Sequence, residues 1–264
     1  MRRILILFSS CIVILLTIIF CIFFYFYHSP AKEFDDFEIQ HPKDDTLRIA
    51  FIGDSWAFFH QFHTCKLSSL LTERIKKPVK VISDGTCGAS SKFIYSRIGA
   101  NGHINEIIKE GPDYCIIAAG VNDTHMKIGE KYYLQNMKLI INFMFHHNIT
   151  PIILEIPDYD IFKVYNDANP LIKILRHMSM AYTGTRMDCR DDYRKALRKM
   201  LKNNYLDDKY LLLRYDDWNS NANHDIDKLY REDRIHLNDK GYEFLDSCLS
   251  NIILSNYVYY EDHL

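Results

Sequence analysis

The 264-residue sequence lacks an excess of either charge, with 32 lysines and arginines against 34 aspartates and glutamates and a formal net charge of -2. Without a basic footprint to track a phosphate backbone, a nucleic-acid partner is not expected. Its seven cysteines contain no Cys-x-x-Cys pair, which argues against a zinc ribbon or a thioredoxin-type site. No internal repeat is visible, and 48% hydrophobic with 25% charged residues is neither a collagen-like nor a wholly disordered composition. Beyond residue 27 there is no second long apolar run. The chain is long enough for one domain of about 200 residues whose sheet is buried on both faces.

One long apolar run is present, from Ile4 to Tyr27, with no charged residue. As a helix rising about 1.5 Å per residue it covers roughly 36 Å, against about 30 Å of hydrocarbon. Its end, Phe23-Phe24-Tyr25-Phe26-Tyr27, suits a membrane-water interface. A cleaved signal peptide would have a shorter apolar core and a small-x-small site, which Tyr27-His28-Ser29-Pro30 does not offer. Neither Cys11 nor Cys21 follows the small residues of a lipoprotein signal. The reading is an uncleaved single-pass signal anchor over residues 1–28, with membrane contact through residues 4–27. Arg2 and Arg3 keep the N-terminus in the cytoplasm, so the rest faces the periplasm or the exterior.

Residues 29–46, with Pro30, Pro42 and the acidic Glu33, Asp35, Asp36 and Glu38, read as a tether. Phe34, Phe37 and Ile39 allow the alternative of an N-terminal arm packed on the domain. Five cysteines lie past the anchor: Cys65, Cys87, Cys115, Cys189 and Cys248. Five cannot all pair internally; one disulfide remains open, and most are expected to be small buried apolar residues.

From residue 47 to 264 short apolar runs alternate with amphipathic stretches, the pattern of β-α units around a parallel sheet. Strands are expected at Leu47–Ile52, Val79–Ser83, Tyr114–Ala119, Ile152–Ile156 and Leu211–Tyr215, and helices at Phe58–Lys76, Glu130–His147, Asp191–Asn203 and Asp239–Ser255. These imply an α/β fold, a three-layer α/β/α sandwich with a central, mostly parallel five-stranded sheet. In such sheets reactive groups gather at the carboxyl ends of the strands. There stand Gly53-Asp54-Ser55, Asp84-Gly85-Thr86-Cys87-Gly88, Gly120-Val121-Asn122-Asp123 and, after the fifth strand, Asp233-Arg234-Ile235-His236.

In their order and spacing these four loops resemble the blocks of the SGNH hydrolases, the GDSL-type esterases and lipases. Trp56 follows the serine where that family often has leucine, and Ser83 stands where it often has asparagine at the start of the second block. The resemblance implies a flavodoxin-like SGNH hydrolase fold and an enzyme acting on ester bonds. Residue chemistry supports it: a serine hydroxyl needs a positioned base, His236 is the candidate, and Asp233 is near enough in sequence to orient it. Ser55 is the expected nucleophile rather than a mere helix cap. The resemblance assigns the oxyanion hole to the backbone N–H of Ser55, the backbone N–H of Gly88 and the side-chain amide of Asn122. Gly85 is the rival for the place of Gly88, and Asn122 could be only a turn residue. Asp54 is read as a structural hydrogen-bonding residue.

Other features point elsewhere. His60 and His63 share a helical face, and one or the other is a candidate to line the substrate cleft; His146-His147 has no third ligand at a recognisable spacing, so no metal and no cofactor is expected. Arg190, Arg194, Lys195, Arg198, Lys199 and Lys202 read as a solvated helix face. Asn122 and Asn148 both head glycosylation sequons, and a glycan on Asn122 would block the proposed oxyanion hole, which favours a bacterial envelope. The segment Tyr159 to Arg190, with Tyr159, Tyr165 and Tyr182, is the expected substrate-facing surface. An outward-facing anchored enzyme meets acylated small molecules and envelope glycans. The expected reaction is hydrolysis of small acyl esters, chiefly O-acetyl esters on carbohydrate, through an acyl-Ser55 intermediate. The alternatives are a glycan O-acyltransferase using the same triad and a catalytically silent membrane-anchored binding protein.

Overall fold

The computed structural model describes residues 2–206, 209–218 and 226–261; Met1, residues 207–208, 219–225 and 262–264 lie outside the described residues. The described elements in chain order are α1 (Arg2–Tyr27), β1 (Leu47–Gly53), α2 (Ser55–His60), α3 (Thr64–Ile75), β2 (Val79–Gly85), α4 (Ser91–Gly99) and α5 (His103–Lys109). They continue with β3 (Tyr114–Ala118), α6 (Val121–Met126), α7 (Glu130–His146), β4 (Thr150–Leu154), α8 (Ile161–Asn166) and α9 (Pro170–Thr183). The last are α10 (Arg190–Asn204), β5 (Leu211–Leu213), α11 (Tyr215–Trp218), α12 (Ile226–Leu229) and α13 (Asp239–Glu261).

The five strands form one sheet in the order β2-β1-β3-β4-β5, and every pairing is parallel. Side chains alternate across it, as the two-residue period of a strand requires. Ala50, Ile52, Cys115, Ile117 and Ile153 enter the core under α4, α5, α7 and α10, while Ile49, Phe51, Ile116, Ile152 and Leu154 enter the core under α2, α3 and α13. The result is the three-layer sandwich expected from the apolar runs. Because β2 and β3 flank β1 on opposite sides, the order in which strands are added across the sheet reverses there and a crevice opens beyond the carboxyl end of β1.

Two local differences from the sequence expectation have physical causes. The stretch expected as one helix over Phe58–Lys76 is two, α2 and α3. His60 turns inward to hydrogen-bond Ser83 (2.7 Å) and Asp246 (2.7 Å), and the turn that follows redirects the chain so that Leu67 and Leu71 are buried. β4 begins at Thr150, two residues early and across Pro151. Thr150 donates to Asp113 on the β3 side, so position 151 faces the β5 side, where pairing starts only at Ile152 and a missing N–H costs nothing. Helices α4, α5, α6, α8, α9, α11 and α12 were not expected.

The tether expectation for residues 29–46 gives way to an arm. Phe34 lies 4.8 Å from the Tyr95 ring and 5.5 Å from Phe143, so close to Gly99 that no Cβ fits there, and Phe37 and Ile39 pack on the same core. The Gln40 N–H donates to the Lys109 carbonyl (3.0 Å). Residues Phe8–Tyr27 of α1 are long and apolar enough to cross a membrane, and none of this stretch is buried. All seven cysteines are free; Cys115 and Cys189 are buried, Cys248 is partly buried, and Cys65 and Cys87 are exposed, short of the mostly buried set expected.

Candidate active site

β1 ends at Gly53, where an added Cβ would stand 2.3 Å from the Ala118 carbonyl oxygen; only glycine lets β1 and β3 finish side by side. Asp54 then caps α2 by accepting from the Trp56 N–H (2.9 Å), which leaves Ser55 as the first helical residue, 4% exposed. The His236 ring meets it: Nε2 is 2.8 Å from Ser55 Oγ and Nδ1 is 2.7 Å from Asp233 Oδ2. Asp233 Oδ1 accepts from the backbone N–H groups of Ile235 (2.9 Å) and His236 (3.0 Å). Partial burial alone would raise the Asp233 carboxyl, but the imidazole and these two N–H donors hold it below the usual carboxylate range.

The loop carrying the histidine is fixed from several sides. Arg234 is a non-glycine residue with φ of 57°, a left-handed conformation that costs about 1–2 kcal/mol. Its guanidinium bonds Asp227 (2.6 Å), and its carbonyl accepts from the Asp160 N–H (3.0 Å). Trp56, at the position where leucine is frequent, donates its indole N–H to the Ile235 carbonyl (3.1 Å), and Tyr242 donates to the Trp56 carbonyl (3.0 Å). The Phe59 ring packs edge-on against His236 at 5.0 Å, with Arg231 stacked over Phe59 at 4.1 Å. The departure at position 56 thus ties the serine helix to the histidine loop.

Asn122 lies in the first turn of α6, which is preceded by Gly120 with φ of 116°. Its Nδ2 donates to the Ala89 carbonyl (3.0 Å) and to Asp54 Oδ2 (3.3 Å), so the sequon nitrogen is committed within the fold. The two rival glycines have different surroundings. A Cβ at Gly85 would meet the Asp54 carbonyl at 2.2 Å and the Phe58 nitrogen at 2.6 Å, whereas Gly88, with φ of 79°, has no atom within 4 Å of that position. Gly85 lets α2 sit on β2; Gly88 faces open space.

Two cavities meet at Gly88 and Asn122. One of about 680 Å³ is also bordered by Tyr27, Asp167, Asn169, Arg176 and Asp233. The other, of about 420 Å³, lies between Phe26, Tyr27, Ala89, Phe93 and Met126 and is mostly apolar. Beneath them two carboxyls are fully buried. Burial first, then the nearby Asp123 charge, push Asp54 up to about 7 against its hydrogen bonds from Trp56 and Asn122; burial pushes Asp123 up to about 6. Asp123 holds the N–H (2.8 Å) and hydroxyl (2.6 Å) of Ser91 and so braces the Gly88 loop from within, a role its sequence position did not reveal.

Several expectations are corrected. His60 is completely buried and His63 stacks on Tyr242 at 4.8 Å, so His60 lies under the sheet edge instead of in the cleft. Tyr159 is buried, its hydroxyl hydrogen-bonded to Thr124 (3.0 Å), and is core, while Tyr182 is exposed. The expected solvated face of α10 turns three arginines inward: Arg190 bonds the Tyr159 carbonyl, Arg194 is buried against Ile156 and Asp158, and Arg198 grips the buried Glu155. A third partner for His146 and His147 does exist: Asp36 of the arm, 3.0 Å and 2.7 Å away. This trio has donor types fit for a metal, but it sits at the amino end of β4, across the sheet from Ser55.

The sequence over residues 51–244 matches the family model of the GDSL-like lipases and acylhydrolases, a span holding all four loops. The chain belongs to this family. Being a GDSL-type hydrolase, it acts on ester bonds. Solved structures with this fold include a GDSL-like lipase from Bacteroides thetaiotaomicron, 16% identical over 79% of this chain and 88% of that one, with a TM-score of 0.52. A lipase/acylhydrolase from Enterococcus faecalis is 17% identical over 78% and 94%, TM-score 0.51. An acetyl xylan esterase is 20% identical over 77% and 98%, TM-score 0.53. At these identities the likeness concerns the fold. Comparison with curated proteins finds no match.

Proposed function

We propose that Ser55, Asp233 and His236 form a catalytic triad that hydrolyses small acyl esters, chiefly O-acetyl esters on carbohydrate, through an acyl-Ser55 intermediate. The carrying observation is the continuous relay from Ser55 Oγ to His236 (2.8 Å) and on to Asp233 (2.7 Å). It also argues against a silent binding protein, since surface selection alone does not require a base aligned on a serine.

His236 Nε2 takes the Ser55 proton as Oγ adds to the ester carbonyl, and Asp233 stabilises the imidazolium so formed. The negative charge on the former carbonyl oxygen is met by the N–H groups of Ser55 and Gly88 and by Asn122 Nδ2. The longer of the Asn122 bonds, 3.3 Å to Asp54, is the one an oxyanion displaces. The carbon–oxygen bond to the alcohol then breaks, and His236 returns the proton to that alcohol. Water, deprotonated by the same histidine, releases the acid and regenerates Ser55.

A carbohydrate substrate is supported by the polar border of the larger cavity, where Asp167, Asn169 and Arg176 offer donors and acceptors to hydroxyl groups, and is in keeping with the shared fold of an acetyl xylan esterase. The apolar cavity of about 420 Å³ favours a second reading, a longer acyl chain, because it begins at the oxyanion corner. The anchor, residues 1–28, and the outward-facing region, residues 29–264, belong to the same reading, with the domain in a bacterial envelope.

The test uses the full chain in detergent on p-nitrophenyl esters of increasing chain length and on acetylated xylan, with Ser55→Ala alongside. Activity lost in Ser55→Ala and highest with acetate supports the first reading. A rate rising with chain length supports the second, equal rates for both proteins remove Ser55 as nucleophile, and product that forms only with a sugar acceptor makes the enzyme an acyltransferase.

A further inference from the structure

α9 is a well-formed helix with an unusual outer face. Asn169 caps it by accepting from the Ile172 N–H (2.9 Å), Pro170 opens it, and Gly184 closes it in a left-handed turn with φ of 69°. Its inner face buries Arg176 and Ser179. Its outer face leaves Leu171 64%, Ile174 56%, Met178 39% and Tyr182 60% exposed. Steps of three, four and four residues put these side chains on one stripe, about 17 Å long at 1.5 Å per residue. Phe162 of α8 adds a further exposed apolar ring.

The stripe is continuous with α1. The Tyr182 ring meets the Phe24 ring edge-on at 5.0 Å, one turn before α1 ends. The junction is rigid: His28 is 4% exposed, its Nδ1 hydrogen-bonded to the Ile128 carbonyl (2.8 Å) and its Nε2 to the hydroxyl of Ser179 on α9 itself (3.1 Å). The next turn of chain is pinned where the Ala31 N–H donates to Asn136 (2.8 Å). The same two helices form one wall of the larger cavity, through Tyr27 of α1 and Ile172 and Arg176 of α9, facing Gly88, Asn122 and Asp233.

We propose that the outer face of α9 is a second membrane contact, lying in the bilayer interface beside the exit of α1, so that the cleft opens along the membrane surface and takes esters displayed there. An amphipathic helix with its apolar stripe turned outward is stable in that position because the headgroup boundary buries the stripe. Continuity with an apolar span selects the bilayer as the occupant: a surface touching Phe24 of α1 is already at membrane depth. The proposal rests on the reading of α1 as a retained anchor and of Ser55 as the nucleophile.

The full chain is reconstituted into phosphatidylcholine vesicles with and without bromine on the acyl chains, carrying Ile174→Trp or, as a control on a distant exposed site, Lys80→Trp. Native Trp56 and Trp218 are buried and set the background. Bromine quenching of the added fluorescence at least two-fold stronger for Ile174→Trp than for Lys80→Trp is expected; equal quenching overturns the proposal. A blue-shifted, unquenched signal that varies with protein concentration also overturns it, in favour of a second copy of the chain. In a second arm, Ile174→Ser with Met178→Ser leaves hydrolysis of p-nitrophenyl acetate in solution unchanged and lowers hydrolysis of an O-acetylated hexadecyl glucoside embedded in the vesicles at least five-fold. Equal effects on both esters overturn the surface role. The quenching arm needs no activity, so a failure of the Ser55 assignment is read separately, from Ser55→Ala on the soluble ester.

Discussion

Replacing Asp233 by asparagine isolates what the carboxylate does for His236. The substitution preserves Oδ1, which accepts from the N–H groups of Ile235 and His236, so the turn keeps its shape. It changes Oδ2, 2.7 Å from His236 Nδ1, into an amide NH₂. A donor there stabilises the tautomer whose proton sits on Nε2, and that proton then points at Ser55 Oγ, 2.8 Å away. A nitrogen already carrying a proton cannot take another from the serine. In a triad with buried aspartate the same exchange lowers kcat about 10⁴-fold. The Asp233 side chain is 46% exposed, so water recovers part of the effect, and about 10³-fold, roughly 4 kcal/mol of barrier, is expected. KM for p-nitrophenyl acetate should stay within about three-fold, because the turn does not move. Single-turnover acylation of the full chain measures the step directly. A loss of less than ten-fold would refute the argument, since His236 would then be oriented by something other than Asp233.

Glu155 is wholly buried with both oxygens on the Arg198 guanidinium and one also accepting from the Tyr215 N–H, so Glu155→Ala leaves Arg198 with Asp216 alone (2.9 Å) and the Tyr215 N–H without its acceptor; about 2 kcal/mol lower stability in urea unfolding is expected. Gly85→Ala should cost 2 kcal/mol or more, because its Cβ would meet backbone at 2.2 Å, whereas Gly88→Ala should cost only about 1 kcal/mol of backbone strain and lower activity instead, which thermal melts and esterase rates of the pair will separate. With its carboxyl pushed up to about 7, Asp54 favours folding while protonated, so stability should fall as pH rises from about 4 to 7 and then level. Between pH 5 and pH 8 this is worth roughly 3 kcal/mol, and Asp54→Asn, which keeps an acceptor for Trp56, should remove that part of the slope in urea titrations at the two pH values.

The sheet was legible because parallel strands buried on both faces read as apolar runs, and β1 through β5 all fall on them. The four reactive loops were legible because each follows such a run or stands at a distinctive spacing. What was hidden lay in pairings distant in sequence. Nothing local says that Asp36 meets His146 and His147 across 110 residues, or that His60 is drawn in by Asp246. Arg190, Arg194 and Arg198 recur every four residues, which in sequence is the mark of a solvated stripe. They turn inward because Tyr159, Asp158 and Glu155, just beyond β4, offer acceptors in the interior. The short helices α4, α5 and α6 were missed because six to nine residues carry too few turns for a periodic pattern.

The loop bearing Gly88 is the place where α1 and the candidate site meet. From inside, Asp123 fixes Ser91 at the start of α4. From outside, Lys92, the next residue, donates to the carbonyl of Phe26 at the end of α1 and to Ser29 just beyond it. Burial lowers the ammonium pKa of Lys92 from its ordinary value. The loop whose N–H is the proposed oxyanion donor is thereby suspended between a core carboxyl and the last turn of the apolar helix. Cutting the chain at Ser29 removes the Phe26 carbonyl and the Tyr27 wall but leaves Ser55, His236 and Asp233 untouched. On the proposed mechanism its loss therefore falls on the oxyanion side of the reaction, which makes α1 part of the architecture of the proposed site.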